Sequence, residues 1–336
     1  MPVRSAMGRA FPKPIPKPIL VTGSHRSGST WVGLMIGASP QVAYIHEPFH
    51  LDHNLGFCGA QWDYWFQYIC ADNEAQYRRF FEKTVRLQYN LIPSWKLVND
   101  AEYRRKVLED RAFFVKSRAA GCRPLLKDPI ALFSADWLAT RFDMDVVVMI
   151  RHPAAFAYSL KKAGWFHNFR HFLDQPLLMR DHLHPFAAEI EEFIAGDEVP
   201  GGGHGRSILE HAALLWKLIH YRIATYQDQF PHWQFVRHED LSLEPLEGFR
   251  QIFDQLGLDF GDDVQREITY YSDDKNPDKK NPDKKNPLVE PLLLALKRNG
   301  KANAYTWKDK LSAEEIAFIR EQVGDLADRF YRADEW

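Results

Sequence analysis

The 336-residue sequence predicts an α/β fold, a doubly wound parallel sheet flanked by helices in a single domain with loop or lid insertions. Three observations point there. Short apolar runs alternate with helix-length amphipathic segments along most of the chain, the pattern of a parallel sheet with right-handed crossovers. The run Asp145-Val-Val-Val-Met-Ile150 is apolar throughout and partly β-branched, as a strand covered on both faces should be. A first apolar run, Ile19 to Val21, enters a small-residue loop from Gly23 to Gly28, and Thr30 to Ile36 then reads as the start of a helix.

The remaining elements follow in order. Gly37-Ala-Ser-Pro40 stops the first helix, Val42 to Ile45 reads as a second strand, and His46-Glu-Pro-Phe-His50 stands at its exit. An aromatic segment follows with Phe57, Trp62, Tyr64, Trp65, Phe66 and Tyr68, which either packs the core or lines an acceptor pocket. Helices are expected over 77–89 and 101–117, a strand stopped by proline at Arg123-Pro-Leu-Leu-Lys-Asp-Pro129, and a helix over 132–141. Arg151-His-Pro153 ends the strongest strand, and Pro153 suits the first turn of a helix reaching about Lys162. Residues 164–185 read as a loop or lid with short helices, and Gly201-Gly-Gly-His-Gly205 as a flexible connector. Leu209, Ala212, Trp216, Ile219, Ile223 and Tyr226 share one face of a long helix over 208–227. A strand over 233–236, the segment Arg237-His-Glu-Asp-Leu241 and a helix over 244–256 come next. Tandem Lys-Asn-Pro-Asp-Lys units within 276–287 read as a solvated low-complexity loop, and Ser312 with Glu315 forms a capping box.

Composition excludes several function classes. Basic and acidic residues nearly balance, 43 against 45, so no polyanion-binding surface and no nucleic-acid partner is expected. No apolar run approaches the ~18 residues of a membrane span. Residues 1–17 form a basic, proline-rich arm without the apolar core of a secretory signal. Cys58, Cys70 and Cys122 contain no C-x-x-C pair, which fits a reduced, cytoplasmic setting.

The candidate strands end just before Gly23, His46, Lys127, Arg151 and Arg237. Ligands of open α/β sheets bind at the carboxyl edge, so Arg26, Glu47, Lys127 and Arg151 should meet on one rim. The loop before the first helix presents backbone N–H groups where the helix dipole favours an anion. Ser27, Ser29 and Thr30 add hydroxyls, and Arg26 adds a cation. Against the triphosphate loop G-x-x-x-x-G-K-[ST], Gly23, Gly28 and Thr30 align, but Ser29 holds the lysine slot. The strand expected to end in a Mg²⁺-holding aspartate ends in Arg151 instead. Arg151, eight residues before Ser159, offers a cation and a hydroxyl to a second phosphate.

These residues resemble the sulfotransferases that use 3′-phosphoadenosine 5′-phosphosulfate (PAPS). Ser24-His-Arg-Ser-Gly-Ser-Thr-Trp31 is similar to the family's 5′-phosphosulfate loop, and the segment from Arg151 to Ser159 to its 3′-phosphate motif. Arg237-His-Glu-Asp-Leu241 resembles a family segment that usually carries tyrosine in place of His238. Arginine at position 26, Glu47 and Lys127-Asp128-Pro129 bring the resemblance closest to bacterial and carbohydrate-type members and to tyrosylprotein sulfotransferases.

The resemblance implies a P-loop-like fold and, residue by residue, a site. Arg26, Ser27, Gly28, Ser29 and Thr30 would hold the phosphosulfate, and Arg151 with Ser159 the 3′-phosphate. Trp31 would either touch adenine or pack in the core. Glu47 would take the acceptor's proton, with His25, His46 or His50 as rivals, while Arg26 and Lys127 would stabilise developing charge. The implied co-substrate is PAPS, released as PAP, with no metal required. The acceptor expected is a hydroxyl of a carbohydrate, glycolipid or other small molecule; its identity and the oligomeric state stay open. The alternatives are a P-loop nucleotide or small-molecule kinase and a non-catalytic PAP(S)-binding scaffold. His46-Glu-Pro-Phe-His50 also matches the zinc-protease string H-E-x-x-H, but Pro48 leaves His46 outside any helix that would align both imidazoles.

Overall fold

The central strand β1 (Ile19–Gly23) is flanked by two partners that lie more than a hundred residues away in sequence. With β2 (Val42–His46), β3 (Arg123–Lys127), β4 (Asp145–Ile150) and β5 (Gln234–Arg237) it forms a five-stranded parallel sheet ordered β2-β3-β1-β4-β5. The chain winds outward on one side of β1 and then crosses to the other. This creates a topological switch beside the β1 carboxyl end. The computed structural model describes residues 16–91, 101–199, 202–272 and 304–336. Residues 1–15 and the tandem Lys-Asn-Pro-Asp-Lys units lie outside the described residues.

Strand side chains alternate between two cores, which is why the strands read as continuous apolar runs. On one face Leu20, Ile45, Leu126, Val146 and Val148 join a large cluster. On the other, Ile19, Val21, Leu125, Val147 and Met149 meet Trp31, Phe249 and Phe253. Each fully buried aliphatic side chain stabilises the fold by about 1.5–3 kcal/mol relative to exposure.

The described helices of at least six residues are α1 (Ser29–Gly37), α2 (Arg78–Val85), α3 (Ala101–Ala120), α4 (Ala135–Phe142), α5 (Pro153–Ala163), α6 (Ala187–Asp197), α7 (Ile208–Gln229), α8 (His238–Leu243), α9 (Pro245–Leu256), α10 (Asp262–Ser272) and α11 (Ala313–Val323). The expected apolar face of α7 is buried along its length. Ser207 and Glu210 cap its start, and Ser312 and Glu315 cap α11 as their spacing predicts. Two boundaries differ from expectation. Pro129 and the Asp128 cap tighten residues 129–134 into a 3₁₀ segment, so α4 begins only at Ala135. α2 ends at Val85, and the chain turns through Leu87 at φ 51°.

Phe57, Trp62, Phe66 and Tyr68 are buried, so core packing accounts for most of the aromatic segment; Tyr64 and Trp65 are only partly covered. All three cysteines are free. Among the described residues no helix is long and apolar enough to cross a membrane.

Gly23 closes β1 at φ 130°, and a Cβ there would run into the Met149 carbonyl oxygen, with the Met149 nitrogen 2.7 Å away. Both neighbours are backbone atoms and cannot rotate aside. Gly23→Ala is therefore expected to destabilise the fold by about 2 kcal/mol or more, read as a lower urea midpoint. An unchanged midpoint would mean that β1 and β4 tolerate a wider spacing.

Candidate active site

The turn between β1 and α1 is held by its own backbone. Ser24 N–H donates to the Met149 carbonyl at 3.4 Å, Ser27 N–H donates to the Ser24 carbonyl at 3.3 Å, and the Ser27 hydroxyl donates to the same oxygen. Gly28 starts α1 at φ 88° with no side-chain cap, which leaves the first helical N–H groups to an outside acceptor. A Cβ on Gly28 would lie 2.5 Å from His238 Nδ1, so this glycine is required by both its torsion and its neighbour. Ser27 and Ser29 are buried in the cradle, and Thr30 is half-buried at its edge. Trp31 is fully buried, with its ring edge-on to Phe249 at 5.1 Å; of its two expected positions, the core one describes it.

The two expected anion motifs meet directly. Arg26 Nε donates to Ser159 Oγ at 2.9 Å, and Arg151 Nη1 donates to the Arg26 carbonyl. Arg26 also lies over the Trp165 ring, 5.3 Å from its centroid. Burial pulls both guanidinium groups below their ordinary value, and the Glu239 carboxylate works against this at Arg151. Ser24 Oγ, His25 Nδ1 and Arg151 Nε are buried without a hydrogen-bond partner.

A second cluster occupies the ends of β2 and β3. Lys127 is fully buried, and its ammonium donates to Glu47 Oε1. Gly33 of α1 makes room for the lysine stem, since a Cβ there would lie 2.6 Å from Lys127 Cγ. Glu47 continues the ladder by donating its N–H to the Lys127 carbonyl at 2.8 Å, then turns at φ 41°. Burial opposes ionisation of Glu47, yet Lys127, helped by His46, holds the carboxyl below its ordinary value of 4.5. The pair's contribution is thus complete above pH 4.5 and is lost as the pH falls through the lower folded value. Burial lowers the Lys127 pKa, and Glu47 offsets part of that. Neighbouring Asp128 accepts from Phe49 N–H at 2.6 Å and Ile130 N–H at 3.1 Å. Burial, then the Glu47 charge, pushes its carboxyl up to about 8.

His25 senses both clusters. Burial and the Arg26 cation bring it down to about 4, while Glu47 pulls the other way. The sequence-predicted residues therefore gather as Arg26, Arg151 and Ser159 on one side and Glu47 with Lys127 on the other, with the Ser27–Thr30 cradle at the β1 exit. The Arg26 side chain binds Ser159 rather than the Glu47–Lys127 pair.

Three contributors escaped sequence reasoning. Glu239 is buried, accepts from His152 N–H at 3.0 Å and from the Tyr331 hydroxyl at 2.9 Å, and is the carboxylate that favours the Arg151 cation. Its signal was the Arg237-His-Glu-Asp-Leu241 segment itself. Asp128 sits inside Lys127-Asp128-Pro129, but its donor Phe49 lies 79 residues away in the turn after β2. Trp165 left no signal beyond being aromatic.

A family model described as sulfotransferase family matches residues 18–200, just over half of the chain. The chain belongs to the PAPS-dependent sulfotransferase family. Among solved structures, one is similar at the level of fold. A sulfotransferase domain from the curacin biosynthetic pathway aligns over 94% of this chain and 97% of its own, with 14% identity and a TM-score of 0.51. A sulfotransferase domain from the Synechococcus PCC 7002 olefin synthase covers 96% and 99% at 17% identity and TM-score 0.49. Mouse sulfotransferase SULT7A1, crystallised with PAP, covers 95% and 87% at 11% identity and TM-score 0.41. No curated protein sequence matches the chain.

In this sulfotransferase the passage of Lys127 past α1 gives a direct test. Alanine at position 33 would gain about 1 kcal/mol in helix propensity, but its methyl would collide with the lysine stem. Gly33→Ala should lower both the melting temperature and turnover. A variant more stable than wild type and fully active would contradict the packing described.

Proposed function

We propose that the enzyme moves the sulfuryl group of PAPS onto a hydroxyl of a carbohydrate, glycolipid or other small-molecule acceptor. The observation that carries this reading is the buried Lys127–Glu47 ion pair, set across the loop from a cation–hydroxyl cluster of Arg26, Arg151 and Ser159. The donor set suits a nucleotide with two anionic ends. The first α1 N–H groups have no side-chain cap, and Ser24 Oγ and Arg151 Nε are buried without partners. When bound, PAPS supplies the activated sulfuryl group.

The roles of the chain's own residues follow. Ser27, Ser29, Thr30 and the first α1 N–H groups bind the phosphosulfate end. Ser159 accepts from Arg26 and so keeps its own O–H to donate, together with Arg151, to the 3′-phosphate. Trp31 supports the loop from beneath. Glu47 removes the proton from the acceptor hydroxyl. Its protonation deprives Lys127 of its counter-charge, which leaves the ammonium to answer charge developing on the departing oxygen. Sulfuryl transfer resembles phosphoryl transfer in its loose, in-line transition state, so positioning and fixed charge supply most of the rate. The free cysteines support a reducing, cytoplasmic setting.

Labelled-sulfate transfer from PAPS into an acceptor library, with mass spectrometry of the product, tests the activity. Glu47→Gln should lower kcat by about 10²- to 10⁴-fold while calorimetry finds PAP affinity little changed. Near-normal turnover removes Glu47 from the mechanism. Arg151→Ala should instead weaken PAP binding by about 10- to 100-fold, the loss of a charge-assisted contact. Unchanged affinity would sink that role.

A further inference from the structure

Asp197, His204 and His211 converge away from the residues assigned to sulfuryl transfer. Asp197 ends α6, His204 lies on the connector, and His211 is in the first turn of α7. One ligand atom from each lies within 4.8 Å of the others. His204 Nδ1 is 2.8 Å from Asp197 Oδ2, and His211 Nε2 is 3.0 Å from Asp197 Oδ1. His211 is fully buried, and Asp197 is the carboxylate that faces its ring.

The backbone is shaped to bring these groups together. Gly202 and Gly203 adopt φ 88° and 102°, and Gly205 passes so close to α6 that a Cβ would lie 2.5 Å from the Gly196 carbonyl. Gly205 N–H donates to the Asp197 carbonyl at 2.9 Å, and Arg206 N–H donates to Asp197 Oδ1 at 3.0 Å, which orients the carboxylate. Phe166 stacks on His204 at 3.9 Å, and Phe193 meets His211 edge-on at 4.9 Å, forming an apolar wall. The nearby cation Arg206 pairs with Glu210 at 3.1 Å.

We propose that Asp197, His204 and His211 bind a divalent transition-metal ion of the zinc class. Two imidazole nitrogens and one carboxylate oxygen match the donor preference of such ions and leave a position for water. Tetrahedral bonds of ~2.0–2.2 Å hold ligand atoms ~3.3–3.5 Å apart; the imidazole–carboxylate spacings of 2.8 and 3.0 Å lie just below this, and the whole set within 4.8 Å needs only side-chain adjustment to surround one ion. The ion acts as a clasp between α6 and α7. It also fixes Phe166, whose neighbour Trp165 lies over Arg26.

The test uses untagged full-length protein stripped with chelator. Calorimetry with Zn²⁺ should give one equivalent per chain, Co²⁺ should produce visible d–d bands without thiolate charge transfer, and the melting temperature should rise with zinc concentration. His204→Gln, at an exposed position, and Asp197→Asn should each weaken zinc binding at least about tenfold while PAP affinity is retained. Absence of binding overturns the proposal and leaves the three side chains as a hydrogen-bonded tie. So does binding that both variants leave unchanged, or a cobalt spectrum dominated by cysteine.

Discussion

An ammonium group with no access to solvent is the constraint around which the rest of the site is arranged. Lys127 at the end of β3 is fully buried, and an unpaired charge there would cost several kcal/mol. The surrounding features answer that cost. Gly33 opens α1 to admit the stem, and Glu47 bends into a left-handed backbone conformation to bring its carboxylate alongside. Asp128 is driven toward its neutral form, so it satisfies two backbone donors without adding a second negative charge. A helix, a strand exit and a loop are thus fixed by one charge.

The loop and the β4 exit differ from those of a triphosphate enzyme. A sulfuryl group in flight carries less charge than a phosphoryl group. The lysine of the nucleotide loop is replaced by Ser29, and the end of β4 carries Arg151 where a metal-holding carboxylate would otherwise stand. Parallel register does the gathering. Residues separated by more than a hundred positions, Arg26 and Ser159 among them, come within hydrogen-bond distance because every strand delivers its last residue to the same edge.

Most of this was legible in the sequence because it depends on short patterns. The five strands, the glycine-bounded loop and the capping boxes are local signals, and the rim followed from strand ends. What stayed hidden depends on tertiary approach. Glu239 is an ordinary helix-start acid until Tyr331 and His152 close over it. The 3₁₀ turn at 129–134 arises from the Asp128 cap, which no periodicity registers. The Asp197, His204 and His211 spacing fits no metal string, because glycines fold the connector back between them.

Three imidazoles lie in the neighbourhood of the arginines, and burial holds each in its uncharged form: His25 at about 4, His152 at about 3, and His238 far below the ordinary range. None of them changes charge across the ~pH 5–8 interval in which histidine usually acts as a sensor. Across that interval the three rings add no charge of their own beside Arg26 and Arg151.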